Sequence, residues 1–228
     1  MSIKYTKEQI EAMIECTAME GEPLYASACV NQSDTLMAST ELTSEVVASY
    51  LLSHPQLLDS GIKRIRREKT YAVEHSKKPR AENSKRTEDL MAIQLVEDHH
   101  TGSAYGTMIA YQIPLKNTNK DIGAGKIDLV SYHEGLNTLF IHEFKRKDNS
   151  ETLLRCVLEI YTYFSTVDKN KLLSDFGHSD AKLIPSVLVY AGSRQHEQFE
   201  VHESVRALMK ELNVEFHIFE EPNHDQTC

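Results

Sequence analysis

The residues of this chain best placed to do chemistry lie in one stretch, Lys126 to Lys147, which carries Asp128, Glu143 and Lys145 among apolar neighbours. Two apolar runs flank Glu134-Gly135-Leu136-Asn137, which reads as a tight turn. A turn centred between Gly135 and Leu136 sets His133 opposite Thr138 and Asp128 opposite Glu143. Opposed side chains of an antiparallel pair stand about 5 Å apart. Glu143 and Lys145 are two residues apart, so they leave a strand on the same face. The hairpin therefore gathers two carboxylates and an ammonium. Carboxylates that close repel each other, and a hard cation such as Mg²⁺ or Mn²⁺ lets both stay ionised. A lysine beside them can stabilise negative charge developing on a phosphate. The plainer reading is a solvated Glu–Lys pair. Against it stand Ile127, Leu129, Val130, Leu139, Phe140, Ile141 and Phe144. Strands this apolar on both faces are covered on both sides, and charges at their ends need a reason to be there.

The elements that position these residues follow from periodicity. Ser84 to Asp98 reads as a helix and Ala104 to Leu115 as a strand, followed by the hairpin. Glu151 to Thr166 has Leu154, Val157, Leu158 and Tyr161 on one helical stripe. Ile184 to Tyr190 is an apolar strand, and Val214 to Phe219 is the last one. Between them, Glu197 to Leu212 reads as one amphipathic helix with Val201, Val205, Leu208 and Leu212 in register. The order is α-β-β-β-α-β-α-β.

With Asp128, then Glu143-Phe-Lys145, then a helix carrying Arg155, Glu159 and Tyr163, this order resembles the PD-(D/E)XK nuclease superfamily. The resemblance covers roughly residues 84 to 221. It implies a restriction-endonuclease-like α/β core, with a mixed central sheet flanked by helices, in residues 83–228. It implies a metal-dependent nuclease, a hydrolase using Mg²⁺ or Mn²⁺. Asp128, Glu143 and the Phe144 carbonyl would hold the metal, and Lys145 would act in catalysis. An acidic residue of the first helix often joins such a site. Glu88 fits because it shares the face of Met91, Ala92 and Leu95, with Glu82 and Glu97 as weaker candidates. Arg146, Lys147, Arg155 and Tyr163 are the expected nucleic-acid contacts. For Arg155 the alternative is an i,i+4 ion pair with Glu159. The chain departs from the family where Ile127 stands for Pro and Glu159 for Gln.

Residues 1–82 fall outside that pattern and read as a helical extension. Thr6-x-x-Gln9 resembles a capping box. Thr43 to Ser53 reads as a helix, Pro55 to Gly61 as a short one, and Lys63 to Val73 as helical. The chain carries a net charge of −9, which argues against a nucleic-acid binder, yet residues 63–86 hold ten Lys/Arg and three acids. That segment suits either a solvated surface or a phosphate backbone.

Other chemistries fail on inspection. Gly123-Ala-Gly-Lys126 lacks the Walker spacing. His99-His100 has no further ligand at zinc spacing and reads as a favourable charge at a helix end. The four cysteines have no CxxC spacing and read as reduced thiols. With no signal peptide and no membrane-length apolar run, the expected location is the cytoplasm. DNA is the expected partner; RNA and a homodimer stay open. The rival reading is a non-catalytic nuclease-fold module that binds nucleic acid or protein.

Overall fold

The computed structural model describes residues 4–73 and 87–220. Six strands form one sheet in chain order: β1 (Thr101–Gly102), β2 (Gly106–Pro114), β3 (Lys126–His133), β4 (Thr138–Lys145), β5 (Lys182–Tyr190) and β6 (Glu215–Phe219). The sheet is mixed. β1 to β4 run antiparallel, and β4, β5 and β6 are parallel. Helices cover both faces, so the expected α/β class with a mixed, helix-flanked sheet is what forms.

The β3–β4 register is the one the turn demands. His133 pairs with Thr138 and Leu129 with His142. Asn137 closes the turn in the left-handed region (φ 45°), a conformation Asn tolerates, and His133 Nδ1 accepts the Leu136 N–H. Alternation then sorts the side chains. Val130 and Ile141 join a core on one face; Leu129, Phe140 and Phe144 join a second core on the other.

On the first face lies α4 (Leu153–Thr166), whose buried stripe includes Leu154, Val157 and Leu158. The N-terminal helices α1 (Lys7–Met19) and α2 (Thr43–Ser53) bury Ile10, Ile14, Val47 and Leu51 in the same continuous core. The Thr6 capping box is formed by Gln9 on both sides. On the second face, α3 (Thr87–Glu97) buries Ala92 and Leu95 against Leu129, Phe140 and Phe144.

Three local features differ from the sequence reading. Residues 63–73 form no helix. Their five Lys/Arg within seven residues would sit as like charges one turn apart in a helix. Instead Arg67 reaches across to the carbonyls of Lys116 and Thr70. The helix expected over residues 197–212 is two: α6 (Arg194–Val201) and α7 (Glu203–Glu211), broken at His202. Val201 is left exposed, while the buried His202 ring meets Ser44 of α2 at 3.2 Å. Glu45 of α2 caps the new helix end by accepting the N–H groups of Ser204 and Val205. The third is α5 (Lys169–Asp175), capped by Asp168 and absent from the sequence reading.

Candidate functional site

The parity of β3 and β4 puts Asp128, Glu143 and Lys145 on the face covered by α4. Asp128 Oδ2 accepts the backbone N–H of Phe144 at 3.2 Å. The Phe144 ring itself lies in the opposite core, and its carbonyl sits in the strand between Glu143 and Lys145. The Lys145 ammonium lies 2.7 Å from Glu143 and 2.6 Å from Glu151. Glu151 precedes Thr152, the N-cap of α4, and Glu159 lies about two turns on. One carboxylate oxygen from each of Glu143, Glu151 and Glu159 falls within 4.8 Å of the others.

Burial sets the electrostatics. It pushes the Asp128 carboxyl up to about 7, against the pull of Lys145 and the Phe144 N–H. Burial also raises Glu143 well above the usual carboxylate range, and the charge of Asp128 adds to that rise. Burial alone would depress Lys145, but Glu143, Asp128 and Glu151 outweigh it and keep the ammonium charged. Glu151 is also part-buried, yet Lys145 and Arg155 hold it below its ordinary value. Cys156 sits fully buried beside this group, its thiol raised by the burial.

The α4 residues are tied to one another. Arg155 meets Glu151 at 2.7 Å and Glu159 at 3.8 Å, so the i,i+4 pair forms and a second acid joins it. Arg155 also donates to the Tyr25 carbonyl and lies over the Tyr25 ring. Tyr163 donates to Glu159 at 2.7 Å and meets Tyr25 edge-on. Tyr25 comes from a short 3₁₀ turn, Leu24–Ala26, in the N-terminal part. The following residues clamp the start of α4: Asn31 Oδ1 accepts the Thr152 N–H, and the Val30 carbonyl accepts its hydroxyl. The sequence reading missed Glu151 and Tyr25. Glu151 carries a signal, its i,i+4 spacing to Arg155; Tyr25 carries none.

Other expected residues lie elsewhere. Glu88 belongs to α3, on the far face of the sheet, and so reaches the exit of β4 rather than the carboxylate group. There it accepts from Asn149 at 2.7 Å and from the Arg146 N–H at 3.5 Å. Glu82 lies outside the described residues. Arg146 folds back onto Asp148, and Lys147 is exposed. Lys145 is less open than its strand-end position suggests: its side chain is only 8 % exposed. His100 packs on Phe219 and meets the Tyr105 hydroxyl, and burial lowers its basicity. Cys16, Cys29 and Cys156 are free thiols.

The donor set suits a hard divalent cation. Glu143, Glu151 and Glu159 form the group whose oxygens come together, Asp128 lies outside it on the same sheet face, and Lys145 and Arg155 are the cations that pair with its members. When all four acids ionise, two negative charges remain unmatched, and every donor is an oxygen. No helix among the described residues is long and apolar enough to cross a membrane. Comparison with family models, with curated proteins and with solved structures returned no match to this chain.

Proposed function

We propose that this chain is a metal-dependent hydrolase of phosphodiester bonds, with DNA as its substrate. One observation carries the reading: the part-buried Asp128 and the buried Glu143, both with raised proton affinity, share a sheet face with the ion-paired Lys145. The order α3, β2–β4, α4, β5 supports assigning the sheet and its helices to a restriction-endonuclease-like core. Asp128 and Glu143 would hold Mg²⁺ or Mn²⁺, flanked by Glu159 and Glu151. A bound divalent ion would supply Lewis-acid polarisation of the phosphate and a more acidic water. Lys145 would swing from Glu151 toward the phosphate and offset charge as it develops. Arg155 and Tyr163 hold Glu159 in place, and Lys147 leads toward solvent where a substrate strand lies.

A second reading has its own support. Lys145 and Arg155 already pair with Glu143, Glu151 and Glu159, as a non-catalytic core closed by its own cations would. Cleavage assays with Mg²⁺ or Mn²⁺ on linear, circular, single-stranded and branched DNA, and on RNA, separate the two. Hydrolysis lost in Asp128→Asn supports the enzyme. No hydrolysis of any substrate, with no metal uptake by calorimetry, supports the binding module.

A further inference from the structure

Beside the site runs a cationic groove made from two segments far apart in the chain. One cavity of about 420 Å³ lies between residues 67–69 and residues 114 and 116–119. A second, of about 670 Å³, shares Pro114, Lys116 and Asn119 with it and continues along the loop from Asp121 to Lys126. Long-range bonds join the two walls. Arg67 donates to the Lys116 carbonyl, Asn117 Oδ1 accepts the Glu68 N–H at 2.9 Å, and Lys63 Nζ donates to the Ile122 carbonyl at 2.6 Å. The Lys63 ammonium rests on the Gly123 turn, where an added Cβ would stand 3.2 Å from it.

Residues 63–69 and 114–126 contain eight Lys/Arg and only two acids, in a chain whose net charge is −9. One of those acids is turned inward. Asp121 Oδ2 accepts the N–H groups of Asn117 and Thr118 and the Thr118 hydroxyl, and these bonds keep it ionised within its own loop. Lys69, Lys116 and Lys120 remain exposed along the groove or its rim. Asn117, Thr118 and Asn119 add polar side chains to its wall.

The groove ends at the site. Gly125 lies against the Tyr163 ring, so closely that a Cβ there would fall 2.3 Å from Cε1. Lys126 comes next, pairs with Asp89 at 3.4 Å, and precedes Asp128 by two residues on the same strand. Concentrating cations along one track suits a polyanion with regularly spaced charge, while the acidic remainder repels it elsewhere. We propose that this groove carries the phosphate backbone of a nucleic-acid strand into the Asp128–Glu143–Lys145 site. The destination rests on the hydrolytic reading above; binding in the groove does not.

The test measures binding of the native chain to labelled single-stranded and duplex DNA by fluorescence anisotropy. It is run in chelator, across roughly 50 to 200 mM salt. The groove variant is Lys69→Glu/Lys116→Glu. The control, Lys182→Glu/Lys210→Glu, makes the same change in net charge at exposed positions of β5 and α7. The groove variant should bind at least about 10-fold more weakly and lose about 2 from the slope of log K against log salt, with the control within about 2-fold of native. Equal losses in both variants, no loss in the groove variant, or no binding by the native chain overturns the proposal. If binding depends on the groove but neither metal supports cleavage, the groove stands and the hydrolytic reading falls. If cleavage occurs and the groove variant keeps its KM and salt dependence, the groove falls and the hydrolytic reading stands.

Discussion

Asp128 Oδ2 accepts the backbone N–H of Phe144, and this bond extends the hairpin one step past the Leu129–His142 pair. A side chain thus takes over where the β3–β4 ladder ends. It holds the Asp128 carboxylate on the sheet face it shares with Glu143, whose proton affinity the Asp128 charge raises, and it couples the charge of the site to the register of the sheet.

Asp128→Asn keeps an oxygen to accept the Phe144 N–H but removes the charge. Calorimetric titration with Mg²⁺ or Mn²⁺ should show affinity lower by at least about 10-fold, as expected for losing an anionic ligand. Stability should move the other way. Burial raises the native carboxyl to about 7, above its unfolded value near 4, so native stability is full at low pH and is lost as pH rises through 7. In chelator the variant should therefore match the native protein near pH 4 and melt higher at pH 8. A variant that melts lower at pH 8 contradicts this account.

Lys145→Ala should abolish cleavage by at least about 100-fold, comparable to losing a donor to the transition state. It should also destabilise the fold, because Glu143 is only 3 % exposed and loses its ion-pair partner. Breaking a buried pair from one side costs about 3–5 kcal/mol, less here if Glu143 takes up a proton. The double variant Glu143→Gln/Lys145→Met should recover most of that loss while remaining inactive. Urea unfolding of the native protein, Lys145→Ala and the double variant checks this; a double variant no more stable than Lys145→Ala would falsify the coupling.

The hairpin was legible because turn chemistry and period-2 alternation are local: Gly135 and Asn137 set the register, and the register puts Asp128 and Glu143 on one face of the sheet. The boundaries of α2 were legible for the same reason. What stayed hidden depends on partners distant in sequence. The break at His202 exists because Ser44 and Glu45, more than 150 residues earlier, supply the bonds for a new helix start. Glu88 shares the buried face of α3, but periodicity cannot say which side of the sheet that helix covers. Tyr25 reaches the site through the Arg155 guanidinium and the Tyr163 ring, contacts with no counterpart in local sequence.

Gly125→Ala tests the junction of loop and site. Gly125 has φ +76°, and a Cβ would lie 2.3 Å from Cε1 and 2.6 Å from Cζ of Tyr163. Gly177 has the same φ but nothing within 4 Å, so Gly177→Ala reports the backbone cost alone. Both should lose about 1 kcal/mol from the left-handed conformation. Gly125→Ala should lose further stability and weaken metal binding, because Tyr163 must leave its place beside Glu159. Equal melting temperatures for the two variants would show that the Tyr163 contact yields freely.

The acid limb of the stability profile should depend on His217. Its ring is buried in β6 against Tyr105, Phe140 and His142, and burial lowers its pKa to about 4. Glu215 Oε2 lies 3.4 Å from Nε2, but that carboxylate is 45 % exposed and does not offset the burial. The unfolded ring titrates near 6.5, so between 6.5 and 4 the unfolded chain binds the extra proton. His217 therefore leaves the native state fully favoured above pH 6.5, and that advantage is lost as pH falls toward 4, by about 3 kcal/mol at most. Asp128 and Glu143 act in the opposite sense, since their raised proton affinity favours the native state as pH falls, so the native profile alone does not isolate the histidine. Comparison with His217→Leu does. Urea unfolding from pH 7 to pH 4 should show a shallower loss for the variant, with the difference confined to pH below about 6.5. A difference that persists unchanged from pH 7 to pH 4 would assign the effect of His217 to packing rather than to proton uptake.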